Sequence, residues 1–359
     1  MNTSEKNVTL NTNNSSQVPG SHLTRDALFE LEQKEKTTAQ KALDWFISLC
    51  PLLCCGIALM EYILIPDKYA NKNPERYAVL LLIPAAVYLI FWIRAFLLYR
   101  KGKRQYFRDI RHRAPLYSVI YLLLTALDSL TLKTGLLLYP FIPWVNDIIN
   151  AAILDWPMLL KSTVFTLRLL FLGYFGGVLA GLITGVACGY SRRIRYWIDP
   201  VIKVLGPIPT ATWIPLIMLL ATSLLAGSVF IVGLGTWFAV TVATMTGISN
   251  VDQSFYEAAK TLGTSERQLI FRIAIPYAMP SILQGMTQGM SSACISLMIA
   301  EMVGVEAGLG WYITWAKAWA AYNKMFAAIV VICIVFNFVT RVLDLVKGRI
   351  LRWQIGVVK

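Results

Sequence analysis

Residues 248–279 read Ile-Ser-Asn-Val-Asp-Gln-Ser-Phe-Tyr-Glu-Ala-Ala-Lys-Thr-Leu-Gly-Thr-Ser-Glu-Arg-Gln-Leu-Ile-Phe-Arg-Ile-Ala-Ile-Pro-Tyr-Ala-Met. They form a polar island between long apolar runs, punctuated as two short helices with a break. Ser254 and Glu257 have the spacing of a capping box, and Asp252 adds an acid where the helix dipole favours one. Gly263 stands where a helix ends on a left-handed residue. Ser265 and Gln268 offer a second capping box, and Pro276 breaks or kinks the helix that follows. A pair so terminated, on a loop between membrane spans, suits a docking element. An amphipathic helix lying at the membrane interface has the same spacing.

Outside the island the chain is strongly apolar. Of its 359 residues 57% are hydrophobic and 15% charged, with a mean hydropathy of +0.58. Soluble domains carry about a quarter charged residues, so this is an integral membrane protein. A formal charge of +13 would suit a nucleic-acid binder. The basic residues, however, cluster between apolar runs, as membrane topology demands. The six cysteines lie in apolar runs and make no Cys-x-x-Cys pair, and the two histidines are His22 and His112. Neither a metal site, a disulfide framework nor histidine-based catalysis is expected.

Apolar runs of about 20 residues, the length that crosses a bilayer, predict eight spans. They fall near 44–65, 78–99, 116–138, 163–189, 206–225, 228–247, 280–303 and 326–346. Residues 1–43 are a polar cytoplasmic segment, disordered at first and with a polar helix over 24–43, and no signal peptide is read. The basic run Arg100 to Arg113 marks the inner side, as do Arg192, Arg193, Arg195 and the basic tail. An even number of spans then places both termini and the 248–279 loop in the cytoplasm. Span three carries Asp128 and Lys133, five apart and so on different faces. Residues 139–162, with three prolines, read as an irregular outer stretch. Span four carries Gly173, Gly177, Gly181, Gly185 and Gly189, a small-residue ridge that lets helices approach closely. Pro207, Pro209 and Pro215 give span five an irregular start, tolerated at membrane depth only against protein or a water-lined cavity.

Glu257-Ala258-Ala259, then Gly263, then Ile273-Ala274-Ile275-Pro276 resembles the EAA loop of ABC importer permeases. The family pattern is E-A-A, three residues, G, nine residues, I-x-L-P, and only Ile275 departs from it. Asp199-Pro200, Pro207-Ile208-Pro209 with Trp213-Ile214-Pro215-Leu216, and Glu301-Met302-Val303-Gly304 with Gly308-Leu309-Gly310 look like the nitrate/sulfonate/taurine/bicarbonate branch.

The resemblance covers about residue 115 to the C-terminus. It implies an all-α, polytopic membrane protein of the type I importer fold. Residues 115–359 form a permease core of about six helices, and 44–114 add two transmembrane helices and a basic cytoplasmic loop that short permeases lack. The segment Ala221 to Ser228 also departs from the family's short glycine-containing turn.

The resemblance further implies a bacterial inner-membrane location and a second permease copy, with a homodimer expected. Two cytoplasmic ATPase subunits would bind ATP and Mg, since this chain has no G-x-x-x-x-G-K-[ST] phosphate loop and no cofactor of its own. An extracytoplasmic protein would deliver the solute. Glu257, Ala258, Ala259, Gly263, Ile273 and Pro276 would dock the ATPase. Arg168 would attract a small anion, with Pro209, Trp213, Ser291 and Ser292 along the pathway. Glu301 reads as a gate or as a structural cap on the glycine-rich segment after it. The rival readings are an ion-driven carrier, which predicts inverted repeats and paired broken helices, and a membrane-embedded enzyme. The latter needs clustered titratable residues within the spans, and Asp128, Lys133, Arg168 and Glu301 are scattered.

Overall fold

The structure is a computed structural model that describes residues 37–100, 105–206 and 208–352. The expectations for residues 1–36, including His22 and most of the 24–43 helix, and for Pro207 lie outside the described residues. All regular structure among the described residues is helical. The chain divides into two compact units, residues 1–66 with 78–126, and residues 67–77 with 127–359.

The first unit holds α1 (Thr38–Leu64), α2 (Glu75–Arg100) and nearly all of α3 (Gln105–Asp128). Thr37 and Gln40 close a reciprocal capping box at the start of α1. Pro84 removes one backbone bond from α2. One turn before it, the Leu81 carbonyl accepts from Tyr121 Oη at 3.2 Å and Cys55 Sγ at 3.6 Å, so neighbouring helices satisfy the loosened backbone. Arg111 reaches Asp44 at 2.6 Å. That pairing lets the basic stretch join the helix. Span three therefore runs Tyr106–Lys133 rather than 116–138. Its last turn is a π segment, Ser129–Lys133, and Gly135, at φ +61°, turns the chain away. Lys133 Nζ lies 2.6 Å from Asp67 Oδ1.

The second unit begins with the 67–77 loop, stitched to α4 (Val145–Leu154) by polar side chains. Asn146 donates to Asn71 and to the Lys72 carbonyl, Asn150 donates to the same carbonyl, and Arg76 donates to Asn150 at 2.6 Å. Residues 139–162 are thus more regular than the prolines suggest. They contain α4, and α5 (Trp156–Tyr190) starts seven residues before the expected span, with Pro157 in its first turn where no N–H is missed.

The core is α5, α8 (Leu224–Ser249) and α10 (Ile275–Gly304). The glycine ridge of α5 lies directly on α8. A methyl placed at Gly173, Gly177, Gly181, Gly185 or Gly189 would stand 2.4–2.8 Å from α8 atoms at Val232, Gly233, Val240, Thr244 and Ile248. Both sequences ascend together, so α5 and α8 are parallel. The chain must therefore return the length of the bundle between Tyr190 and Leu224. It does so through α6 (Arg192–Leu205), a 3-10 turn at Thr210–Trp213 and α7 (Ile214–Leu220), a pair bent by 88°. Span five is this broken return, not a helix running to 225. Among the described residues seven continuous helices are long and apolar enough to cross, and counting the bent pair as one span makes eight. In contrast α10 runs antiparallel to α8, with Gly285 against Ala243 and Gly289 against Thr236. The last helices are α11 (Leu309–Ala318) and α12 (Tyr322–Ile350).

Candidate functional site

The 248–279 loop begins with a cap that differs from the sequence expectation. Asp252, not Ser254, is the N-cap of α9 (Gln253–Thr261), its carboxylate accepting from Ser254 N–H at 2.9 Å. Those bonds hold the exposed carboxyl below its ordinary value of 3.8. Helix α9 is rigidly placed by one side only. Ala259 is buried, and Tyr256 packs on Ile248, Ala274 and Ala278. Burial pushes the Tyr256 phenol up from its ordinary value. The other side, with Glu257 and Ala258, faces out, beside exposed Phe255 and Leu262.

Gly263 follows at φ +77°, a left-handed turn in which a side chain is strained although nothing crowds it. Ser265 and Gln268 close the second capping box. The helix it opens does not stop at Pro276. A π segment, Leu269–Ala274, carries it into α10, whose first turn holds Pro276. Ile273 is half-buried in that segment and Pro276 is exposed. Glu266 accepts from Tyr190 and lies 3.9 Å from Lys260, tying the turn to α5 and α9.

A cavity of about 280 Å³ lies where the backbone is broken. It brings together Pro209, Trp213 and Ser292, and adds Thr210, Trp237 and Phe238, which sequence reading missed. Thr210 and Ser296 share a hydroxyl hydrogen bond of 2.6 Å, and Trp237 Nε1 donates to Thr184 at 3.0 Å. Among the described residues no charged side chain lines this cavity. Ser291 is not among its lining residues; it is exposed, and its hydroxyl donates back to the Thr287 carbonyl at 3.4 Å. The signal for the missed pair was helical spacing: Leu234, Trp237 and Phe238 share one face of α8.

Arg168 lines a different cavity, of about 260 Å³, with Lys161, Glu306 and Trp311. Glu301 is buried on α10. Its Oε2 accepts from Thr166 Oγ1 at 3.0 Å and from the Gly310 N–H at 2.9 Å, and Thr166 in turn accepts from the Leu309 N–H at 2.9 Å. The carboxylate so caps the first turn of α11. Gly308, at φ +106°, leaves the space that this carboxylate fills.

Residues 177–350 match the family described as the binding-protein-dependent transport system inner membrane component. A putative ABC transporter permease of Methanocaldococcus jannaschii is 27% identical over 141 residues, 38% of this chain and 53% of that protein. A putative aliphatic sulfonates transport permease of Bacillus subtilis is 30% identical over 183 residues, 51% of this chain and 66% of that protein. The taurine transport system permease of Escherichia coli is 28% identical over 114 residues, 32% of this chain and 42% of that protein. The matched stretch thus spans from under half to about two thirds of the length of these relatives.

Proposed function

We propose that this chain, whose residues 177–350 match the family of inner-membrane components of binding-protein-dependent transport systems, is the permease subunit of an ATP-driven importer in a bacterial inner membrane. Two copies form a pathway that opens alternately to either side. Two cytoplasmic ATPase subunits receive the α9 helices, and an extracytoplasmic binding protein presents the solute. The solute is a small anion of the sulfonate, taurine, nitrate or bicarbonate kind.

The observation that carries this reading is the outward face of α9. Glu257 and Ala258 stand exposed on a short capped helix whose back is packed on α5 and on the start of α10. A force applied to that face reaches two core helices without an intervening flexible link. The aromatic, uncharged cavity at Trp213 and Ser292 is a passage rather than a trap, because it offers an anion hydroxyl and indole donors but no fixed cation to hold it. Arg168 and Lys161 give the second cavity a basic mouth, where an anion first concentrates.

The test is co-purification of the tagged chain from mild detergent. A stoichiometric ATPase partner, lost on Glu257→Arg or Gly263→Trp, supports the reading. If the chain purifies alone and transports in proteoliposomes on an ion gradient without ATP, an ion-driven carrier replaces it.

A further inference from the structure

A third cavity, of about 390 Å³, opens beside α9 at the end of α5. Its rim carries Arg192, Arg195 and Lys260, with Ser249 and Tyr256 between them and Ile248 at the base. The acids nearby are engaged elsewhere. Asp199 pairs with Lys203 at 2.7 Å, Asp252 caps α9, and Glu266 accepts from Tyr190 while partly balancing Lys260 at 3.9 Å. Among the described residues neither arginine has a carboxylate partner, and Arg195 Nη1 donates only to Ser249 Oγ at 3.3 Å. Like charges gathered around one recess repel unless an anion sits among them. Guanidinium forks match phosphate oxygens well.

A second observation says where that phosphate comes from. Helix α6 starts at this rim and carries Tyr196 and Trp197, 73% and 76% exposed, with Val201 and Val204 also exposed and basic residues beside them. Large aromatic and aliphatic side chains next to cations are the composition of a helix lying at lipid headgroup depth. The cavity thus opens at the membrane surface on the side of the 248–279 loop.

We propose that Arg192, Arg195 and Lys260 form a site for a phosphate-bearing anion, supplied by a phospholipid headgroup, and that its occupancy holds α9 against α6. Lys260 belongs to α9 and both arginines to α6, so one bound phosphate bridges the two elements. Its consequence for ATPase coupling rests on the docking reading above; the binding itself does not.

The test compares the full chain in nanodiscs of phosphatidylcholine alone and of phosphatidylcholine with phosphatidylglycerol, reading amide exchange over Gln253–Thr261. Exchange there slows severalfold with the anionic lipid. The slowing disappears in Arg192→Gln/Arg195→Gln and persists in Arg193→Gln, which removes one charge of the same helix outside the cavity. The rim residues are exposed, so these variants fold; Lys260→Gln alone gives a further reading through a partial loss. Inorganic phosphate that reproduces the slowing in phosphatidylcholine discs keeps the site and makes its ligand a free anion. The proposal is overturned if neither the anionic lipid nor phosphate changes exchange, or if the double arginine variant responds like the unaltered chain. It is also overturned if Arg193→Gln abolishes the response equally, since that reports a general surface charge. Co-purification of an ATPase is scored separately, so failure here leaves the importer reading standing.

Discussion

Replacing Gly177 by alanine puts the α5–α8 contact under a single methyl. That methyl would lie 2.4 Å from the Gly233 carbonyl oxygen and 2.7 Å from Thr236 Cβ, whereas ordinary contact begins at 3.4 Å. The nearest atom is backbone, which cannot rotate aside, so the helices must part by about 1 Å. A gap of that size forfeits a quarter to a half of each dispersion contact it opens. Overpacking of this kind costs about 1–3 kcal/mol, and the glycine-to-alanine gain in helix propensity returns up to about 1 kcal/mol. With the full propensity gain subtracted, the net loss is up to about 2 kcal/mol. The neighbour Gly176 supplies the control, because a methyl there meets nothing within 4 Å; alanine at 176 keeps only the propensity gain and is neutral or stabilising. Both variants are compared with the parent chain by thermal unfolding in one mild detergent, followed by tryptophan fluorescence. If Gly177→Ala unfolds at or above the parent temperature, or if Gly176→Ala loses as much, backbone contact is not what joins these helices.

Glu301→Ala leaves the Thr166 hydroxyl and the Gly310 N–H without their shared acceptor. Buried donors stranded in this way cost about 1–3 kcal/mol each, so the variant unfolds well below the parent, and Glu301→Gln, which keeps an acceptor oxygen, loses less. Asn146→Leu removes the donor that Asn71 and the Lys72 carbonyl accept from; trypsin then cuts after Lys72 faster, with cleavage elsewhere unchanged. The Asp252 cap gives α9 a pH dependence of defined sign. Its folded carboxyl is held below 3.8, so the cap's contribution is complete above that value and is lost as pH falls through the depressed one. Exchange protection over Gln253–Thr261, corrected for intrinsic rates, stays level down to about pH 4 and drops below it. Asp252→Asn removes the drop.

The helix-packing core was legible because its code is local and repetitive. Five glycines at four-residue spacing define one helix face, and a face without side chains can only serve close approach; the structure packs all five, on α5, against α8. The same holds for the second capping box at Ser265 and Gln268, whose geometry is set by residues three apart. Errors arose where the deciding partner is distant in sequence. Arg111 looked like the inner boundary of span three, yet Asp44, 67 residues earlier, accepts its charge and lets the helix absorb it. Lys133, read as lying off the face of Asp128, reaches Asp67, 66 residues earlier, which no local spacing shows. At α9 the choice between Asp252 and Ser254 as cap was a shift of two residues that spacing alone does not fix, because both are good capping residues.

The broken return between α5 and α8 ties these strands together. Prolines announced that residues 207–215 are not regular helix, but a proline names the place of a break and not what surrounds it. The surroundings follow from the parallel register of α5 and α8. Two adjacent parallel helices oblige the chain between them to recross the bundle, and a recrossing bent by 88° leaves a space that neither helix fills. That space is the cavity of Trp213 and Ser292, and its remaining walls have to come from whichever face of α8 the bend exposes. Leu234, Trp237 and Phe238 occupy that face. Arg168, one turn before the ridge on α5, sits beyond the reach of the bend and so opens onto a separate cavity with Glu306 and Trp311. The glycine ridge therefore does more than join two helices: by fixing their register it also decides which aromatic residues meet at the break and which cation stays apart from them.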